Sequence, residues 1–308
     1  MLGVFCLFVN VYRLTFRVVP CEDVALPAVT SRVPKQIFVR SLLESGSEKL
    51  RRIADLFRVG SDLVRLPVKP VRVSFLYCKR GGEVSYLWCE YDARPVIRSG
   101  QSYYFDVVLF ESDASCERSG VSISADVVVE LMERLSGEFK IFQYNTVEVQ
   151  FSELHVVSEE DLEVSEDYDT VIVEFKTPTL LQYPKHPRLR NYPSRHSLYP
   201  QPMLVVLSLV YKWNSLNKRN YVSLAHVLYA PYEIIEVSHS IKPVTIQFRK
   251  LRERGFVGWI KYGIDSRSEK RFRTYLKLFK FAQYSGIGRS TSIGLGEVSV
   301  RFSKRSSD

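Results

Sequence analysis

Apolar and polar residues alternate along Tyr12-Arg13-Leu14-Thr15-Phe16-Arg17-Val18-Val19, the period of a strand with one buried face. A helical period follows in SRVPKQIFVRSLL. Val33, Ile37, Phe38 and Leu42 mark one face, Ser31 is placed to cap it, and Pro34 falls in the first turn, where proline is tolerated. Strands are predicted over 71–77 and 85–91, with Gly81-Gly82 as the turn between them. A further strand over 101–110 extends or replaces the second. A helix over 122–135 follows, with Ser124 as its cap and Val128, Leu131, Met132 and Leu135 on its apolar side. Alternation returns over 146–154.

The same order then recurs. The pattern predicts a strand over 170–177, a Pro-rich basic loop, a helix over 203–217 and strands over 242–248 and 255–262. A helix over 268–284 turns Phe272, Tyr275, Leu276 and Phe279 inward, and a last strand covers 297–302. Without any repeat in the residues themselves, βαββαβ occurs twice. This predicts an α+β chain of two tandem ferredoxin-like, RRM-like domains, 1–156 and 170–308, joined by an acidic linker over 157–169. Such folds host many activities, so the order alone names none.

The opening MLGVFCLFVNVYR lacks the basic flank and cleavage site of a signal peptide, and its apolar run is too short to span a bilayer. It is read as leading into the first strand, and no membrane partner is expected. Five scattered cysteines, Cys6, Cys21, Cys78, Cys89 and Cys116, form neither a disulfide frame nor a zinc motif, which points to a reducing, cytoplasmic setting and no metal or cofactor. Trp88, Trp213 and Trp259 are read as core. The net charge is +9, but its distribution says more. Residues 249–308 hold fifteen Lys/Arg against five Asp/Glu, whereas 153–174 hold nine acids and no Lys or Arg. The acidic run is read as a solvated face and the basic tail as a nucleic-acid surface.

Four of the fifteen glycines, Gly286, Gly288, Gly294 and Gly296, fall within that tail. The loop follows a helix and precedes a strand, the reverse of the dinucleotide and P-loop arrangements, and no GK[ST] accompanies it. Dinucleotide and ATP binding are therefore disfavoured. Gly286 suits a helix C-cap. A side-chain-poor loop carrying Arg289, Ser290, Thr291 and Ser292 also suits a phosphate chain. Arg273, Lys277 and Lys280 add a basic stripe to the preceding helix. Loop and stripe together point to a nucleic-acid backbone. The loop KHPRLRNYPSRH adds Arg188, Arg190, His186 and His196 as candidate RNA contacts.

These features resemble the CRISPR-associated endoribonucleases that cut repeat RNA into guide units, Cas protein six of the RAMP superfamily. GIGRSTSIGLG is similar to that family's glycine loop; FKTPTLL, YPQP, the WN of KWN and GFVGW match other landmarks. VVPCEDVALPAVTSRVPKQIF resembles the start of its archaeal branch. The resemblance implies metal-independent cleavage of CRISPR repeat RNA by 2′-OH attack, leaving a 2′,3′-cyclic phosphate and a 5′-OH. Many members carry a histidine on or near the first helix; here the histidines are His155, His186, His196, His226 and His239, none of them there. The archaeal branch implies Lys35, Arg32 and Lys69 as catalytic residues, with Arg254 or Arg252 supplying a guanidinium. The resemblance implies repeat RNA as partner; an interference complex and a second copy of the chain are also expected. The alternative of another class is a non-catalytic RNA-binding subunit of an interference complex.

Overall fold

The computed structural model describes residues 10–304 apart from 59, 91–92, 112–119, 143, 187, 189–190, 218–219 and 249–250. The opening run through residue 9, Cys6, Cys116 and Arg190 thus lie outside the described residues. The first half contains β1 (Val11–Pro20), β2 (Val24–Ala25), α1 (Arg32–Glu44), α2 (Glu48–Asp55), β3 (Val71–Val73) and β4 (Tyr77–Arg80). It continues through β5 (Glu83–Tyr86), β6 (Val96–Ile97), β7 (Tyr103–Phe110), α3 (Ala125–Arg134), β8 (Gly137–Ile141) and β9 (Asn145–Val157). The second half contains β10 (Thr170–Thr179), β11 (Leu181–Gln182), β12 (His196–Ser197), α4 (Pro202–Leu216) and α5 (Ala225–Glu233). It closes with β13 (Ile234–Phe248), β14 (Leu251–Ile264), α6 (Glu269–Ser285) and β15 (Val298–Ser303).

Two antiparallel sheets carry the architecture. The second runs β13-β14-β10-β15, so its strands taken in chain order as first to fourth lie 2-3-1-4, the ferredoxin-like arrangement. The first runs β5-β4-β7-β1-β9-β8, with β3 also on β7; it has the same central order with a hairpin strand added at each edge. The chain is two ferredoxin-like domains in tandem.

Helix faces follow the apolar period. Val33, Ile37, Phe38 and Leu42 of α1 are buried, as are Tyr275, Leu276 and Phe279 of α6, while Phe272 is half-buried. The expected caps differ. The side chains of Ser31 and Ser124 make no capping hydrogen bond, whereas Ser268 accepts from the Arg271 amide. Ser31 sits in helical backbone, which turns its hydroxyl away from the first-turn amides. The strand expected over 85–91 is shorter: β5 ends at Tyr86, and Trp88 makes only an isolated bridge to Val29. Trp213 is buried as expected, but Trp259 is 39% exposed on the outer face of β14.

Each domain has its own core, and a third, small cluster of Val29, Phe75, Leu180, Ile246 and Leu295 lies between them. At that junction Arg72 of β3 crosses into the second domain. Its side chain is 3% exposed and lies 2.6 Å from Glu297 Oε1. Its guanidinium also donates to the carbonyls of Thr291 and Tyr284. A guanidinium suits this position because its fork can satisfy three acceptors on different strands of chain at once. From the other side, Lys212 of α4 donates to the carbonyls of Gly286 (2.7 Å) and Ser285 (3.2 Å). Removing one partner of a buried pair leaves an uncompensated charge, so Arg72→Ala should lower unfolding free energy by about 3–5 kcal/mol. Arg72→Met combined with Glu297→Met should cost less than Arg72→Ala alone. Urea unfolding of the three proteins checks this; equal costs would remove the pair from this role.

Candidate nucleic-acid interface and active site

The glycine loop, 286–296, is packed between the domains. A Cβ on Gly294, at φ 82°, would meet Phe75 Cδ1 at 2.5 Å and its amide nitrogen at 2.7 Å. A Cβ on Gly296, at φ 64°, would run into the Ile287 carbonyl oxygen. Positive φ and backbone contact together restrict both positions to glycine. The amides of the four glycines are engaged within the protein. Gly286 N–H donates to Ala282 O (2.8 Å), Gly288 to Ser208 Oγ (2.8 Å), Gly294 to Thr291 O (3.1 Å) and Gly296 to Pro178 O (3.0 Å). The expectation of glycine amides open to a phosphate chain is corrected on this point: they hold the loop in place. What the loop presents outward is Arg289 and Ser290, both exposed.

The basic stripe of α6 is corrected in the same way. Lys277 Nζ lies 2.9 Å from Glu159 and 2.6 Å from Glu163, Lys280 donates to the Glu163 carbonyl (3.1 Å), and Arg273 pairs with Glu166 and Glu269. The acidic run read as a solvated face is instead the partner of this helix. Two carboxylates each engage Lys277 and Arg273, and a backbone carbonyl engages Lys280, so these cations already have partners within the protein.

Lys35 and Lys69 come from different segments and converge. Lys35 sits in the first turn of α1, its amide donating to Ser31 O at 2.9 Å, and Lys69 immediately precedes Pro70 and β3. The Lys69 ammonium lies 5.1 Å from the centroid of the Phe57 ring and that of Lys35 lies 6.0 Å from the same centroid. Lys69 also donates to the Leu56 carbonyl. Burial, reinforced by the Lys35 charge, lowers the Lys69 pKa to about 8. The ring face offsets part of the cost of keeping two cations close, and the remaining repulsion favours losing one proton.

Arg32 is exposed at the start of α1. Arg254 is exposed on β14, opposite Thr245. The hairpin carrying Arg254 docks beside the root of α1: Ile246 packs in the cluster that holds Val29 and Trp88, and Lys242 pairs with Glu90 at 2.9 Å. Arg188 is exposed, its amide donating to His186 Nδ1 at 3.2 Å. His196 does not reach solvent as a surface contact. Its side chain is 8% exposed and its Nδ1 lies 3.2 Å from Glu253. Burial holds its pKa down, Glu253 opposes this, and Arg289 adds to the lowering.

Sequence reasoning missed Arg72, Lys212 and Glu297. The available signal was a single charged residue inside an otherwise apolar run, as in VRVSF and MLVVLSLVYKW.

Three comparisons relate the chain to known proteins. Residues 12–157 match the Cas6 N-terminal domain and residues 173–298 match the CRISPR-associated endoribonuclease Cas6 domain. The chain is 26% identical to CRISPR-associated endoribonuclease Cas6 2 of Saccharolobus solfataricus, with 96% of this chain and 97% of that protein covered. It is 24% identical to Cas6 1 of the same organism, with 96% and 98% covered. Among solved structures, a Cas6 product complex superposes with a TM-score of 0.66 at 14% identity, covering 95% of this chain and 100% of that one. The tandem ferredoxin-like fold of the chain is shared with that structure. The chain belongs to the Cas6 family and is an endoribonuclease.

The lysine pair makes a direct prediction. Replacing Lys35 with Met removes a neighbouring positive charge, so the Lys69 pKa should rise from about 8 toward its ordinary value. Titration of the Lys69 side chain by NMR checks this, and an unchanged or lower value would contradict the convergence.

Proposed function

We propose that this protein cuts CRISPR repeat transcripts into guide RNAs by attack of a ribose 2′-OH on the adjacent phosphate. The observation that carries the reading is the meeting of Lys35 and Lys69 over Phe57, where burial and the Lys35 charge lower the Lys69 pKa to about 8. Support for the substrate comes from relatives named as CRISPR-associated endoribonucleases and from fold neighbours solved as product and substrate-mimic complexes.

In this mechanism neutral Lys69 accepts the 2′-OH proton as the 2′-oxygen bonds to phosphorus. The bond from phosphorus to the 5′-oxygen breaks, and the Lys35 ammonium gives that oxygen a proton. The products are a 2′,3′-cyclic phosphate and a 5′-OH. Arg32 and Arg254 offset charge developing on the phosphoryl oxygens. Both proton carriers are amines, so the reaction as proposed does not call on a divalent ion. Arg188, Arg289 and Ser290 belong to the surface that holds the RNA, with the four loop glycines setting its shape. The reading extends to two further partners, a second copy of the chain and an interference complex that receives the guide.

The test is cleavage of a synthetic repeat RNA in EDTA. The expected products carry the cyclic phosphate and the 5′-OH, and a 2′-deoxy residue at the cut should abolish cleavage. The rate should climb as pH rises toward about 8 and then level, because the neutral form of Lys69 is the active one. Lys35→Ala at saturating protein should slow cleavage by roughly 100-fold or more while affinity changes little. RNA bound but left whole by the wild type would identify the non-catalytic binder instead.

A further inference from the structure

The second sheet has two unlike faces. Val171, Val173, Phe256, Ile260 and Val300 are buried in one core with α4 and α6. The alternate residues project from the opposite face. There Ser240, Trp259, Glu174 and Ser299 stand in register across the four strands, and Ser238, Lys261, Ile172 and Arg301 form the next row. Each of these is exposed or half-buried. Trp259 thus stands on an interior strand in the middle of an open face, which forgoes the gain from burying the largest apolar side chain. The strands beneath it are fixed. Gly258, at φ 118°, has no room for a Cβ, which would run into the Ser240 carbonyl oxygen. β13 therefore lies close against β14 at this point, and the platform is set before a ligand arrives.

The charges on this face point to its occupant. Glu174, the acid beside Trp259, is taken up by Lys176 at 2.6 Å and by the Ser299 hydroxyl at 3.2 Å. Lys242 lies 2.9 Å from Glu90. Lys261 and Arg301, in the row next to Trp259, have no ion-pair or side-chain hydrogen-bond partner among the described residues. In this they differ from the cations of α6, which have carboxylate or carbonyl partners.

We infer that an unpaired nucleotide of the RNA stacks its base on Trp259, with Lys261 and Arg301 meeting the phosphates beside it. The inference rests on the repeat-RNA reading above and adds to it a contact apart from the lysine pair. An indole offers any base a face to stack on, and neighbouring cations hold the backbone that carries the base. The base must be unpaired, because a paired base shows its edges and not its face. A peptide strand cannot add at Trp259: β14 is hydrogen-bonded on both sides, to β13 and β10, and has no free edge to offer. Two unpartnered cations on a flat face favour a phosphate chain over an uncharged partner. An acidic peptide is the competing ligand.

The test is a fluorescence titration of the full chain with repeat RNA made uncleavable by a 2′-deoxy residue at the cut. Tryptophan emission of the wild type should fall as RNA binds, because a stacked base quenches the indole. Trp259→Ala should raise the Kd by about 10-fold, and Trp259→Phe, which keeps a ring, should stay within about 3-fold of the wild type. Trp259→Phe should also lose the quenching while it still binds, an outcome that a purely structural role would not produce. Trp259→Ala should leave the slope of log Kd against log salt unchanged, whereas Lys261→Met with Arg301→Met should lower it by about 1. An unquenched wild type, an unchanged Kd in Trp259→Ala, or a loss that Trp259→Phe does not restore would overturn the inference. So would quenching by oligoglutamate and not by RNA, since the face would then belong to an acidic protein. Quenching is read on the wild type, so it decides even where a variant misfolds. A wild type that binds no repeat RNA defeats the underlying reading as well; one that binds it indifferently to Trp259 defeats this inference alone.

Discussion

The contact between Arg72 and Glu297 governs how the two sandwiches sit. It joins the third core strand region of one domain to the residue that closes the glycine loop of the other, in a place nearly closed to water. A charge there is tolerable only because every neighbour is arranged around it: Thr291 and Tyr284 accept from Arg72, and Lys212 fixes Gly286 from the opposite side. Burial, with Arg72 nearby, pushes the Lys212 pKa well below its ordinary value, an effect that Glu297 opposes. The glycine loop is thereby a joint of fixed shape. Its outward residues, Arg289 and Ser290, inherit their positions from buried ones.

A second constraint is the pairing of opposite charges that lie far apart in sequence. The segment holding Glu159, Glu163 and Glu166 lies along Arg273, Lys277 and Lys280 of α6. Exposed pairs of this kind each contribute at most about 1 kcal/mol, but Lys277 and Glu159 are largely buried, so removing either would leave an uncompensated charge. The connection between the domains therefore doubles as a covering for the last helix. With that cation stripe engaged, the proposed RNA surface draws on Arg32, Lys35, Lys69, Arg188, Arg254 and Arg289.

Much of this fold was legible because its central strands and long helices bury one face. β1 keeps Arg17 outward while Leu14, Phe16 and Val18 are buried, and α6 turns Tyr275, Leu276 and Phe279 inward; both patterns stand in the residues themselves. α5 was not legible. It is short, contains Pro231 and exposes Leu228 and Tyr232, so its apolar residues follow no single buried stripe. The full reach of β13 was hidden for a related reason, since most of its first half is exposed on both faces. Of the site, Lys35 and Lys69 could be named from resemblance, but their approach to one ring depends on Phe57, which periodicity does not single out. The pairing of the acidic segment with α6, and the closure of the glycine amides, are tertiary facts. Local pattern reports how many charges or glycines a segment has and is silent on what they face.

The central claim is that the glycine loop is locked by the protein itself and shapes the RNA surface from within. Native-state hydrogen exchange at the amides of Gly286, Gly288, Gly294 and Gly296 tests it most directly. The account predicts strong protection in the RNA-free protein, close to that of the core strands, with little change when repeat RNA is added. Rapid exchange in the free protein, with protection arising only on RNA binding, would contradict it.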